Sequence, residues 1–174
     1  MTHSLLRASA PLVLAFVSSC TPNNQAKTQA APAERTVAAA VVEFFPARHS
    51  EVHGLLHVRI IDNGVLFRGN VTGLKAGLYG FGVHERGDCS AFDGKSAGGL
   101  IAGNTAGAAK PLGRLDDLVV EHDGAADLQR VEQLSLSGTN SIVGKSLVVE
   151  AWPYDPKTDP TAVPFVACGV IRPD

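Results

Sequence analysis

Missing from this sequence is any surplus of charge of one sign: 15 Lys and Arg stand against 17 Asp and Glu, a net charge of −2 with histidine neutral. The basic residues are scattered singly, so no stripe exists to track a phosphate backbone, and nucleic acid is not an expected partner. Also missing is an apolar run of the roughly 20 residues that a membrane-spanning helix needs. No amphipathic helix stands out, and no internal repeat is evident. The chain is nonetheless too apolar for disorder, with 45% hydrophobic and 18% charged residues. Its 174 residues suit one full-sized core plus a short appendage.

The appendage is at the N-terminus. Arg7 is the only formally charged side chain before position 20, and 8–17 is an apolar stretch of signal-peptide length. It ends Val17-Ser18-Ser19-Cys20, small residues just ahead of a cysteine. That pattern resembles a bacterial lipobox, in which the cysteine is lipid-modified and becomes the new N-terminus. A plain secretory signal with a chance cysteine is the alternative. The expected division is a signal peptide at 1–19, a lipid-anchored tether at 20–36 and a folded domain at 37–174. Thr21 after the cysteine suits the outer membrane, which places the domain on its periplasmic face. Residues 21–36 are polar and rich in Ala and Pro without apolar periodicity, a tether's composition.

From Val37 onward the pattern turns to period two. Strands are expected at 37–45, 52–60, 65–71, 77–84, 118–122, 128–136, 142–152 and 164–171, with Asp62-Asn63-Gly64 and Asp123-Gly124 as turns. Eight short runs with turn signals between them predict an all-β sandwich or barrel. Two long irregular stretches, 85–117 and 151–163, depart from that pattern, and loops of such length are usually functional. With Cys20 set aside for lipid, Cys89 and Cys168 remain. In an exported domain such a pair is most simply a disulfide, two buried thiols being the alternative.

Specific motifs then carry a resemblance. Gly80-Phe81-Gly82-Val83-His84-Glu85-Arg86-Gly87-Asp88-Cys89-Ser90 resembles the G-F-H-V-H-E-x-G-D-C-S motif of the copper/zinc superoxide dismutases. Ala167-Cys168-Gly169-Val170-Ile171 matches that family's last strand. Ser96-Ala97-Gly98-Gly99 and Leu112-Gly113-Arg114-Leu115 fall where it has its zinc-loop landmarks. The resemblance runs in order from about 37 to 171. It implies an eight-stranded Greek-key barrel and a disulfide between Cys89 and Cys168.

It also implies a histidine cage, and most of that cage is not in this sequence. Imidazole suits both copper and zinc. The first copper histidine corresponds to Gly82, the second to His84, the bridging histidine to Leu100 and the last copper histidine to Glu150. A zinc histidine corresponds to Pro111 and the zinc aspartate to Arg114. No histidine occurs between His84 and His122, so a shift of alignment restores none of them. Where the family carries a guiding arginine, this chain has Pro164-Phe165-Val166.

His49, His53, His57 and His122 read as surface residues. Four residues of strand span about 13 Å, too far for His53 and His57 to share a metal. His84 and Glu150 are the one pair that could still bind copper, weakly. The expectation is therefore a superoxide dismutase-like pseudoenzyme with no catalytic residues and no resident cofactor, serving binding or structure in the cell envelope. Its expected partners are the membrane, through the lipid, and an envelope protein; homodimerisation is left open. The rival expectations are a dismutase with residual or reorganised activity and a module that binds copper transiently.

Overall fold

In a computed structural model, residues 36–47, 49–102, 110–122, 124–153, 155, 157 and 163–174 are described. The expected leader, Cys20 and all of the tether but Thr36 lie outside the described residues. Eight strands follow in chain order: β1 (Ala39–Pro46), β2 (His53–Ile61), β3 (Gly64–Thr72), β4 (Gly77–His84), β5 (Leu118–Val120), β6 (Ala125–Glu132), β7 (Ser146–Glu150) and β8 (Phe165–Pro173). They form one antiparallel sheet in the order β5-β4-β7-β8-β1-β2-β3-β6. Its two end strands, β5 and β6, are joined by a short turn and touch, which curls the sheet toward a barrel.

The alternation read in the sequence is the alternation of burial. In β1, Ala40, Val42 and Phe44 face the core, and in β3, Val65, Phe67 and Val71 do the same. Ile61 pairs with Gly64 across the tight β2–β3 turn, whose Gly64 has φ 136°, a conformation only glycine adopts without strain.

Five strands differ from their sequence expectations by two residues or more at an end; of these, β1 begins late, at Ala39, and β8 runs on to Pro173. β6 begins at Ala125 and ends at Glu132, because the apolar Leu134 and Leu136 are buried from an irregular stretch instead of a strand. β7 is only Ser146–Glu150; Ile142 reaches the core from the turn before it. β5 stops at Val120, two residues short of the expected end. A 3-10 turn, Lys95–Ala97, lies in the first long loop.

Candidate functional site

β4 changes character along its length. Its first residues are exposed or half-buried, but Gly80 to His84 are buried on both faces. Phe81 and Val83 enter the main core. On the other face, Gly82 and His84 are covered by the first long loop, and Gly80 by Glu150 and the Trp152 carbonyl. That loop is stitched to β4 by backbone bonds: Ile101 N–H donates to Val83 O at 3.1 Å, Val83 N–H to Gly113 O at 2.7 Å and Leu115 N–H to Phe81 O at 3.1 Å. β7, alongside, is buried throughout. Ala97, Val148, Phe165 and Cys168 make a second, smaller core under the loop, with Cys89 and Ala47 against it.

The two glycines are what make this layer possible. A Cβ on Gly80 would sit 2.4 Å from Glu150 Oε2, and one on Gly82 would sit 2.5 Å from Leu100 Cδ2. The absent side chains are replaced by a carboxylate and a leucine from other segments. Glu150 stands opposite Gly80 in the strand register and His84 stands four residues along, opposite Ser146. Their side chains converge across the gap left at Gly82.

His84, Glu150 and Arg114 are buried, 2%, 3% and 5% exposed. His84 Nδ1 lies 2.7 Å from Gly98 O; a carbonyl only accepts, so Nδ1 carries the proton. The other nitrogen, Nε2, faces Glu150 Oε1 at 3.7 Å, beyond hydrogen-bond range, and has no hydrogen-bond partner among the described residues. Glu150 Oε2 instead accepts from Arg114 Nη1 at 3.2 Å, while Arg114 Nη2 donates to Asp117 Oδ1. Arg114 is itself bridged to Gly82 through the backbone, as Leu100 is to His84. Phe165 packs its ring edgewise on the His84 imidazole, centroids 4.9 Å apart.

The expected site residues are thus brought together unevenly. His84, Gly82, Leu100, Arg114 and Glu150 form one cluster. Pro111 is half-buried nearby in the chain, its carbonyl accepting from Arg114 N–H at 3.0 Å. His49, His53, His57 and His122 are exposed. Cys89 and Cys168 form a disulfide with Cα atoms 5.7 Å apart, fixing the loop to β8. Sequence reasoning did not name Asp117, whose one local signal is its spacing of three residues from Arg114. Gly80, Gly98 and Phe165 stood within the quoted motif stretches, but none was given the contact it makes here. Among the described residues, no group of three or more His, Cys, Asp or Glu side chains is placed to hold a metal ion.

Beside the cluster opens a cleft of about 400 Å³, lined by Phe165, Val163, Gly98 and Gly99, with Arg86 and Lys95 at its rim. Gly94 allows Phe165 to pack there, since a Cβ on it would meet the ring at 2.0 Å. The neighbouring turn holds two carboxyls below their ordinary range. Asp88 is lowered first by the Ser90 hydroxyl and then by the Ser90 backbone N–H, Asp93 chiefly by the Lys95 backbone N–H.

Comparison with known proteins adds three findings. A family model described as copper/zinc superoxide dismutase (SODC) matches residues 52–171. The chain is 29% identical over 188 residues to a protein of Haemophilus parainfluenzae named superoxide dismutase [Cu-Zn], covering 97% of this chain and all of that one. A Caulobacter vibrioides protein of the same name is 36% identical over 135 residues, 68% of this chain and 78% of the relative. Among solved structures, the clock protein EA4 superposes with a TM-score of 0.68 at 28% identity, over 80% of this chain and 97% of that one.

Proposed function

The chain belongs to the copper/zinc superoxide dismutase family, and from that premise we propose that it is a non-catalytic member, tethered to the membrane and used for binding or structure in the cell envelope. One observation carries this reading. The family's chemistry rests on copper and zinc, and the buried cluster offers one imidazole nitrogen and one carboxylate that is already paired with a guanidinium. A redox-cycling copper takes several nitrogen donors, and a dication here would be set against the charge of Arg114. The residues present do not fit the metals, so no catalytic step is derived through them.

What these residues do instead is close the site. Leu100 fills the space over Gly82, Arg114 neutralises Glu150, and Phe165 seals His84 from the cleft. The cleft is where a binding role would be exercised. Tethering is supported by the sequence alone, through the small residues that lead into Cys20. Diacylation with N-acylation binds far more firmly than a single chain.

The test is copper and zinc titration of the purified full-length chain, followed by stopped-flow superoxide decay on the loaded protein. The expected result is no stoichiometric metal uptake and no decay above the free-copper background. Stoichiometric copper with fast decay, both abolished by His84→Ala, would overturn the reading. Cell fractionation tests the anchor: Cys20→Ala is expected to move the domain out of the membrane fraction or leave an uncleaved precursor. An unlipidated mature chain beginning elsewhere would count against it.

A further inference from the structure

The cleft beside the buried cluster carries a cation with no carboxylate of its own. Arg86, Lys95 and Asp93 all line it. Lys95 Nζ lies 3.3 Å from Asp93 Oδ2, so those two charges offset one another. Arg86 makes no ion pair among the described residues. Asp88, the acid that feels its charge, is committed to the Ser90 hydroxyl and backbone N–H, and Arg86 is the least of the influences on it.

Arg86 is nonetheless held in place. Its backbone N–H donates to Ala97 O at 2.9 Å and its Nη2 donates to Lys95 O at 3.2 Å, which straps the residue along the 3-10 turn at both ends. Its guanidinium packs on Gly98, where a Cβ would lie 3.1 Å from Nε. The rest of the guanidinium fork has no hydrogen-bond partner among the described residues. A guanidinium fixed in this way can receive a carboxylate on two bonds with little further loss of freedom. The rest of the lining is apolar or bare. Phe165 and Val163 are each 8% exposed, and nothing lies within 4 Å of the place a Cβ would take on Gly99. The volume of about 400 Å³ is that of a small-molecule site.

We propose that this cleft takes a monoanionic organic acid, with its carboxylate on Arg86 and its apolar tail against Phe165 and Val163. This rests on the binding role read above and names the ligand class. Two cations and one anion leave the rim one positive charge, which matches a single carboxylate; a second negative charge would meet Asp93. A ligand polar throughout would lose water against the apolar lining without replacing its hydrogen bonds. A free acid and the C-terminal residue of a polypeptide present this same chemistry.

The test is isothermal titration calorimetry on the full-length chain with chelator present throughout, so that no metal can hold the acid. Phenylpropionate is expected to bind one to one. Acetate, which lacks the tail, and phenylpropanol, which lacks the charge, are each expected to bind about tenfold more weakly or worse. Arg86→Gln is expected to weaken phenylpropionate about tenfold, the scale of charge-assisted hydrogen bonds. Asp93→Asn keeps an acceptor for the Lys95 backbone N–H but releases the ammonium, and is expected to tighten binding about threefold. Tighter binding of N-acetyl-alanyl-phenylalanine than of phenylpropionate, lost on amidation, assigns the cleft to a polypeptide C-terminus. The reverse order assigns it to a free acid, and both orders uphold the proposal.

No binding of phenylpropionate to the wild-type chain, equal affinity for phenylpropanol, or undiminished binding by Arg86→Gln would overturn it. Should Arg86→Gln not fold, Asp93→Asn decides: tighter binding supports the proposal, and unchanged or weaker binding overturns it. Failure of the non-catalytic reading looks different: the wild-type chain would take up copper and speed superoxide decay, whatever the acids do.

Discussion

The wall formed by β1, β2, β3 and β6 and the end formed by β4, β7 and β8 are built from the same sheet but buried differently. On the wall, strands such as β1 and β3 keep one face in the core and alternate outward. At the other end, Gly80–His84 and all of β7 are buried on both sides, beneath the first long loop and, at Gly80, the Trp152 backbone. Among the described residues, all the buried polar side chains, His84, Arg114, Ser146 and Glu150, belong to that end. The wall is held by apolar burial, which is non-directional and tolerant. The covered end depends on a few pairings with fixed partners. The loop is therefore one layer of a second small core, and losing its attachments should expose charge as well as apolar surface.

The largest test of this contrast is the disulfide. Cys89 and Cys168 are 79 residues apart in the chain, and cutting their link is expected to cost about 2–5 kcal/mol. Urea unfolding with and without reductant measures it. Hydrogen exchange on the reduced protein then separates the regions. The amides of Glu85, Arg86 and Ile101, which bond to Gly99, Ala97 and Val83, are expected to lose protection first. Amides of β1, β2 and β3 are expected to stay protected longer. A uniform loss across all strands would erase the distinction between wall and covered end.

A smaller effect is expected at Gly82. Its added Cβ meets Leu100 at 2.5 Å and Gly113 O at 3.0 Å, so Gly82→Ala overpacks the layer and is expected to cost about 1–3 kcal/mol. Trimming the leucine relieves the first of those clashes, so Gly82→Ala/Leu100→Ala should be less destabilised than the sum of the two single variants. Strict additivity in a double-mutant cycle would mean that Leu100 does not fill the position over Gly82.

How much of this could be read from the sequence follows the same division. β1, β2 and β3 were legible because one covered face imposes period two on the residues themselves. β6 was drawn too long at its end and β7 at both ends; Leu134, Leu136 and Ile142 are apolar for the core's sake without being in strands. Polar Asp127 and Gln129 hid the start of β6, whose place is set by pairing with Asn70 and Arg68. In the site, the resemblance paired His84 with Glu150. The structure gives it Arg114, with His84 too far for a hydrogen bond. Asp117 and Gly98 were not legible because their roles arise only when the loop folds back onto β4. No local pattern encodes a contact made by a backbone carbonyl fourteen residues away.

The smallest expected effect lies in the turn that leads into that loop. Asp88 precedes the disulfide cysteine, and its Oδ1 accepts from Ser90 N–H at 2.9 Å. Hydrogen bonds from the Ser90 hydroxyl and backbone, in that order, hold its pKa below the ordinary value of 3.8. A group whose folded pKa is depressed stabilises the fold above its unfolded pKa, and the contribution is lost as pH falls through the folded value. The turn around Cys89 is therefore expected to loosen below about pH 4. The side chain is exposed, so solvent screening keeps the effect modest, and a local readout is needed. The rate at which a phosphine reduces Cys89–Cys168 provides one. Taken as the ratio of wild type to Asp88→Asn, it cancels the reductant's own pH dependence. The asparagine keeps an acceptor oxygen for Ser90 but cannot titrate. The ratio is expected to stay near one at pH 5 and to rise between pH 4 and pH 3 as the wild-type turn loses its carboxylate. A ratio that is flat across this range would show that Asp88 does not govern access to the disulfide. A step that persists in Asp88→Asn and disappears in Asp93→Asn would move the acid-sensitive contact to Asp93, whose carboxyl is lowered mainly by the Lys95 backbone N–H.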